Sequence, residues 1–292
     1  MTHFRPRADL ETHDVANQPP PFEDVNLFER DRALKETVEK RGGAAHLERL
    51  SAYGAALGSA ETIDNARLAH QNPPKLLSFD RYGHRLDEVE FHPAYHALMS
   101  LGLSSVFSSI SCTAMYGSHA AHAAMVYLQA GGEPGVGCPM TMTYAAVPAL
   151  RHQPDVAAEW IPRITAGQYD PRFVPATDKR GATIGMAMTE KQGGSDIRAN
   201  TTVAAHVADD EYELTGHKWF CSAPMCDAFL TLAQTEAGVT CFLVPRWRPD
   251  GTRNAFHIMR LKDKLGDRSN ASSEIEYHGA YAVRVGEEGR GV

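Results

Sequence analysis

The chain has 292 residues, 43% hydrophobic and 22% charged, an ordinary globular composition with length for about two domains and no need of staples. Its 29 Lys and Arg face 36 Asp and Glu, a formal net charge of −7, which excludes nucleic-acid binding through the overall field and leaves only a local basic patch to supply it. The weakly polar stretch 140–150 is too short to span a bilayer, and the N-terminus has no apolar signal core. The expectation is a soluble, cytoplasmic protein with no membrane partner.

Residues 1–26 read as an extended arm, with the NQPPPFEDVN stretch too rich in proline for a packed element. Residues 27–180 read as an all-α domain. LFERDRALKETVEKRGG is expected to be one helix stopped by a Gly-Gly pair, and AAHLERLSAYGAALG repeats its apolar spacing through Leu47, Leu50, Tyr53 and Leu57. ETIDNARLAHQ follows and ends at Pro73-Pro74, and residues 80–90 look polar and irregular. PAYHALMSLGLSSVF, SHAAHAAMVYLQAGG, MTMTYAAVPALRH and PDVAAEWIPRITAGQ are further helices, with Pro148 expected to kink or end the third.

From residue 181 to 287 the period changes to two. ATIGMAM is a short apolar strand. TTVAAHVA and EYELTGHKWF flank Asp209-Asp210 as a hairpin, AFLTLAQ and VTCFLV form another, and FHIMRL, SSEIEYH and AYAVRV are further strand-like runs. The fold class is therefore α+β: an N-terminal all-α domain followed by a small antiparallel β-barrel or sandwich domain.

Several chemistries fall away on spacing. The five cysteines include no CxxC pair, so neither a disulfide framework nor a thiolate zinc site is indicated. His119 and His122 share a helix face but have no third ligand at metal spacing, so no metal is expected. There is no GxxxxGK[ST], GxGxxG, GxSxG or HExxH motif. Arg260, Lys262, Lys264 and Arg268 alternate with Asp263 and Asp267, which suits a solvated or subunit-contacting face better than a nucleic-acid patch.

One segment stands out. In GMAMTEKQGGSDIRAN (185–200) an apolar strand runs into Thr189 and Glu190. Gly193 and Gly194 permit positive φ and close backbone approach, Ser195 adds a hydroxyl, and Asp196 can lock the turn. Such a turn can present N–H donors to a carbonyl-rich ring or a pyrophosphate. The residues alone equally describe a surface turn between strands, and composition favours that plainer reading.

MAMTEKQGGSD resembles the signature of the acyl-CoA dehydrogenase flavoproteins. A second match, GHKWFCS (216–222), is similar to the strand that flanks the flavin in that family. LKDKLGDRSNASSEIEY (261–277) and GEEGRGV (286–292) follow in the family's order. The arm 17–31, the 72–96 stretch and CPMTMTYAAVPAL (138–150) are similar to the AidB branch, linked to the adaptive response to DNA alkylation. The resemblance implies FAD as cofactor. Met186, Ala187, Met188 and Thr189 would edge the ring, Gly193, Gly194 and Ser195 would follow the ribityl and pyrophosphate, and Phe220, Cys221 and Ser222 would cover the other side. Thr189, Ser195 and Ser222 would also approach an acyl-CoA-like substrate. The family's usual Trp falls at Phe220 here; Trp219 is expected on the opposite face, with one of the two packed in a core.

The family also has a helical bundle after the β domain, beginning at about 288–292 here. It implies that the catalytic base, part of the FAD site, the tetramer core and a double-stranded-DNA face lie in that bundle, so no catalytic residue is assigned within this sequence, and a shortened or clipped chain is expected. The implied activity is α,β-dehydrogenation of a short or branched acyl-CoA with flavin as hydride acceptor, linked to DNA repair. A DNA-protecting flavoprotein with vestigial activity, or an inactive scaffold without cofactor, is the alternative.

Overall fold

The computed structural model describes residues 12–13, 16–112 and 115–292. The first part of the arm expected over 1–26 lies outside the described residues. Residues 17–25 have no regular structure and are mostly exposed.

The first expected helix is two: α1, Leu27–Arg30, and α2, Arg32–Lys40. The break is at Asp31, whose carboxylate accepts from the Leu34 N–H at 2.8 Å and so caps a new helix. Asn26 caps α1 in the same way, accepting from Phe28 and Glu29. Helices α3 (Leu47–Leu57), α4 (Ala60–Gln71), α5 (Pro93–Ser104), α6 (Ser118–Gly132), α7 (Gly137–Leu150) and α8 (Pro154–Ile164) follow. Pro148 lies within α7, which stops two residues later. Phe28, Leu50, Tyr53, Tyr95, Phe107, Met125 and Met140 form the helical core, and Tyr53 donates to Gln129 Oε1 at 2.5 Å inside it.

Between α4 and α5 the structure corrects the irregular reading of 80–90. Strands β1 (Lys75–Phe79) and β2 (Arg85–Glu90) form an antiparallel hairpin. Its turn is set by Asp80, whose Oδ1 accepts from the Tyr82 and His84 N–H groups.

The second half is a seven-stranded sheet: β3 (Ile184–Ala187), β4 (Val203–Ala208), β5 (Glu211–Ser222), β6 (Ala228–Thr235), β7 (Gly238–Pro245), β8 (Phe256–Leu261) and β9 (Ser272–Val285). The long strands β5 and β9 pair antiparallel, from Glu211↔Val283 to Ser222↔Ser272. On its other edge β9 takes β7 at one end and β8 at the other. β3 and β4 both fill the gap between β5 and β6, at opposite ends, with Met186↔Leu230 and Val203↔Gln234. The ring β5–β9–β7–β6–β3/β4 is thereby closed, a barrel. Most pairings are antiparallel as expected; those of β3 and β4 with β6 are parallel.

SSEIEYH and AYAVRV prove to be one strand. Gly279 at φ 70° sits between His278, opposite Thr215, and Ala280, opposite Leu214, so one extra residue is absorbed as a glycine bulge. Phe229, Phe242, Phe256, Ile275 and Tyr277 fill the barrel. Helices α7 and α8 cover its outside, where Trp160, Val147 and Leu150 meet Ile184, Leu230 and Leu243. Burial on both faces is why β6 reads as a continuous apolar run instead of an alternating one.

Candidate functional site

The two singled-out segments are neighbours. Met186 pairs with Ser222 and Ala187 with Cys221, and beyond the end of β3 the Trp219 N–H donates to the Thr189 carbonyl at 2.8 Å. At that point β5 departs from alternation. Lys218 and Cys221 both point inward and are fully buried, while the β5–β9 register shifts between them. Two residues therefore stand where one would, and Trp219 and Phe220 both face outward. The Lys262 ammonium lies 3.1 Å from the Trp219 ring centroid and 4.6 Å from that of Phe220. This overturns the expectation that the two aromatics split between opposite faces: neither belongs to a core cluster, and Phe220 is 44% exposed.

The outward strip thus carries Met188, Thr189, Trp219, Phe220 and Ser222, with Met188 39% exposed, while Met186 is half-buried and packs against the barrel core and the α7–α8 cluster. The side chains of Ala187 and Cys221 are turned into the barrel core, so the thiol cannot cover a ligand. Burial pushes the Cys221 thiol far above its usual pKa, which leaves it an inert packing group. The Ala187 and Cys221 carbonyls are already taken, by the Thr231 and Ser273 hydroxyls.

Past Thr189 the chain makes a tight turn in which Glu190 and Gly193 exchange backbone hydrogen bonds at 3.1 and 3.2 Å. Neither Gly193 nor Gly194 uses the positive φ open to glycine. The need for glycine is steric at Gly194, where a Cβ would come within 2.8 Å of Thr189 Cγ2; at Gly193 the space is open. Ser195 and Asp196 are exposed, and Asp196 caps a short turn of helix at 197–199.

Residues that sequence reasoning missed hold this arrangement. Lys218 donates to Glu190 Oε1 at 2.8 Å and to the Leu232 carbonyl at 2.6 Å. Asn200 donates to the Met188 carbonyl, and Gln234 to the carbonyls of Arg198 and Asn200. The signal for Lys218 was present: it sits in phase with buried Tyr212 and Leu214, and an inward lysine needs a carboxylate. Elsewhere, His122 bonds the Phe107 carbonyl and stacks on Tyr144, whose hydroxyl meets His119. Among the described residues no group of three or more His, Cys, Asp or Glu side chains could hold a metal. Of the basic strip, Arg260 and Lys262 share Glu274, and Lys264 donates to the Asp267 carbonyl.

These ion pairs set a pH dependence. Arg172, with the backbone N–H groups of Arg180 and Arg172, holds the Asp170 carboxyl well below its usual range. Burial opposes ionisation of Glu190, yet Lys218 and the Thr201 and Thr202 donors prevail and also hold it low. A carboxylate whose pKa falls on folding contributes stability above its unfolded value and loses it as pH drops toward the folded one. His96 and His122, lowered by burial, act in the same sense from about pH 6.5 downward. Asp227, raised by burial, runs the other way. The melting temperature should be flat above about pH 7, begin to fall below about pH 6.5 as the histidines charge, and fall most steeply below about pH 4.5, the ordinary Glu value. A rise on acidification from about pH 6 to 4 would contradict these assignments.

Residues 17–171 match the adaptive response protein AidB N-terminal domain family, and residues 185–280 match the acyl-CoA dehydrogenase middle domain. The chain belongs to the acyl-CoA dehydrogenase family, in its AidB branch. AidB of Escherichia coli (strain K12) is 46% identical over 285 residues, covering 97% of this chain and 53% of that protein. Acyl-CoA dehydrogenase family member 11 of Caenorhabditis elegans is 30% identical, covering 93% and 45%. The solved C. elegans ACDH-11, in complex with C11-CoA, superposes with a TM-score of 0.81 at 27% identity, over 96% of this chain and 50% of that one. The chain thus spans about half the length of the curated acyl-CoA dehydrogenases it matches. No helix among the described residues is long and apolar enough to cross a membrane.

Proposed function

We propose that this chain supplies the strand-edge side of an FAD site in an AidB-type acyl-CoA dehydrogenase that oxidises a short or branched acyl-CoA across its α,β bond. The observation that carries the reading is the joining of 186–189 and 219–222 into one outward strip by the β3–β5 pairing and the bulge of β5. The strip fits a flat, partly polar ring. Met188 and Phe220 offer exposed apolar surface, and Thr189 and Ser222 place half-buried hydroxyls beside it. Gly194 and Ser195 are exposed in the adjoining turn, on the side where phosphates would need N–H donors. FAD, when bound, supplies the two-electron acceptor.

What these residues do is bind and orient. Removal of an α-proton needs a carboxylate or other base with a free lone pair. Glu190, next to the strip, is buried with both oxygens engaged, so it is a structural anion and no base is assigned among these residues. The finer points of the reading are a cytoplasmic homotetramer, an acyl-CoA-like substrate, and protection from DNA alkylation damage in which DNA is met outside this chain. They rest on the AidB likeness alone.

Flavin titration tests the proposal. The chain should quench FAD fluorescence weakly and saturably, and Ser222→Ala with Thr189→Ala should weaken that binding about tenfold, the worth of one or two hydrogen bonds. Addition of isovaleryl-CoA should neither bleach the flavin nor exchange its α-proton. Binding indifferent to both substitutions would remove the strip from the site.

A further inference from the structure

Glu190 is 1% exposed and Lys218 is fully buried. The Glu190 carboxylate accepts from five donors: Lys218 Nζ at 2.8 Å and Thr202 N at 3.1 Å on Oε1, and Thr201 N at 2.7 Å, Thr201 Oγ1 at 3.0 Å and Gln192 Nε2 at 2.7 Å on Oε2. Thr201 and Thr202 lead into β4, and Glu190 follows β3, so a single carboxylate ties together both ends of the segment that carries Gly193, Gly194 and Ser195. Lys218, on β5 directly before the outward Trp219, links that tie to the barrel wall and to β6 through the Leu232 carbonyl.

Stability alone does not account for a charge pair here, because well-packed apolar residues commonly replace a buried ion pair at no loss. An apolar pair cannot accept directional bonds from both ends of a loop, whereas an ionised carboxylate can, and such bonds are short and geometrically demanding. We propose that Glu190, held charged by Lys218, is a positioning residue: it closes 189–202 into a fixed loop and thereby fixes Thr189 on the strip and the exposed Gly194–Ser195 turn beside it. This deepens the flavin reading and rests on it only for the identity of what binds.

The test compares two double variants of the full chain. Glu190→Gln with Lys218→Met removes the tie as a matched pair. Lys179→Met with Asp227→Asn removes another buried pair, joined at 2.7 Å with side chains 6% and 7% exposed, and serves as the control for a general structural effect. Amide hydrogen exchange over 191–202 is read without ligand, and FAD affinity by fluorescence. In the first variant, exchange over 191–202 should accelerate by about tenfold or more while the barrel strands stay protected, and FAD affinity should drop by about tenfold. The control should change neither. If the first variant does not fold, Glu190→Asp keeps the charge but shortens its reach, and should loosen the same amides with the melting temperature nearly kept. Undiminished protection of 191–202 in a folded Glu190 variant, or equal loosening in the control, overturns the proposal. A wild-type chain that binds no FAD while its loop responds as expected sinks the flavin reading and leaves the positioning role standing.

Discussion

Replacing Arg246 with Leu is expected to cost about 3 kcal/mol of stability, because it strips hydrogen bonds from buried carbonyls that water cannot reach. Arg246 is 2% exposed. It donates to the Pro224 carbonyl and, at 2.9 Å, to that of Asp87 on β2, while Phe173 and Phe256 lie 4.9 and 4.5 Å from its guanidinium. Burial lowers its pKa to about 10, so it stays charged at neutral pH. The same hairpin is held by Asp87, which accepts from the Ile258 N–H at 2.8 Å, and by Arg253, which donates to the Leu86 carbonyl at 2.6 Å. The substitution should therefore release the hairpin first. Limited proteolysis should cut within 75–90 before the barrel opens. A measured loss under about 1 kcal/mol would mean the carbonyls find other donors.

Phe229→Ala should cost about 3–5 kcal/mol, the upper range for deleting a buried aromatic. Its ring is fully buried, stacks on Phe256 at 4.6 Å and covers Gly185, where a Cβ would meet it at 2.6 Å. A closed barrel cannot collapse onto the vacated space without breaking its ladders, so the cavity term persists. Urea unfolding should show a lower midpoint with an unchanged slope, and Phe229→Leu should recover most of the loss. A loss below about 2 kcal/mol would indicate that the interior repacks.

The helical half was legible because its apolar residues recur at helical spacing and its stops are chemical: Gly-Gly after α2, and Pro73-Pro74 after α4. The hairpin 75–90 was not, because Leu77 and Phe79 are exposed and the strand β2 carries mostly charged residues. Its inward partners come from far along the chain, as in Arg85 to Ile258. In the β half the strands were visible, and the juxtaposition of 186–189 with 219–222 was implied by family likeness. The two outward aromatics were misplaced since strict alternation assumes no bulge. Gly193 and Gly194 permit left-handed backbone, but composition does not separate a glycine chosen for φ from one chosen for room beside Thr189.

Because β3 and β4 occupy the same gap between β5 and β6, they behave as two lengths of one interrupted stave. The residues between them leave the wall and return to it without altering its circumference. Loop length between Ser195 and Arg198 can therefore vary at an entropic cost that grows only logarithmically, while the anchors at Thr189, Glu190, Thr201 and Thr202 stay fixed. A barrel built this way can exchange the tip it presents and keep its closure, so relatives with longer or shorter tips can share one wall.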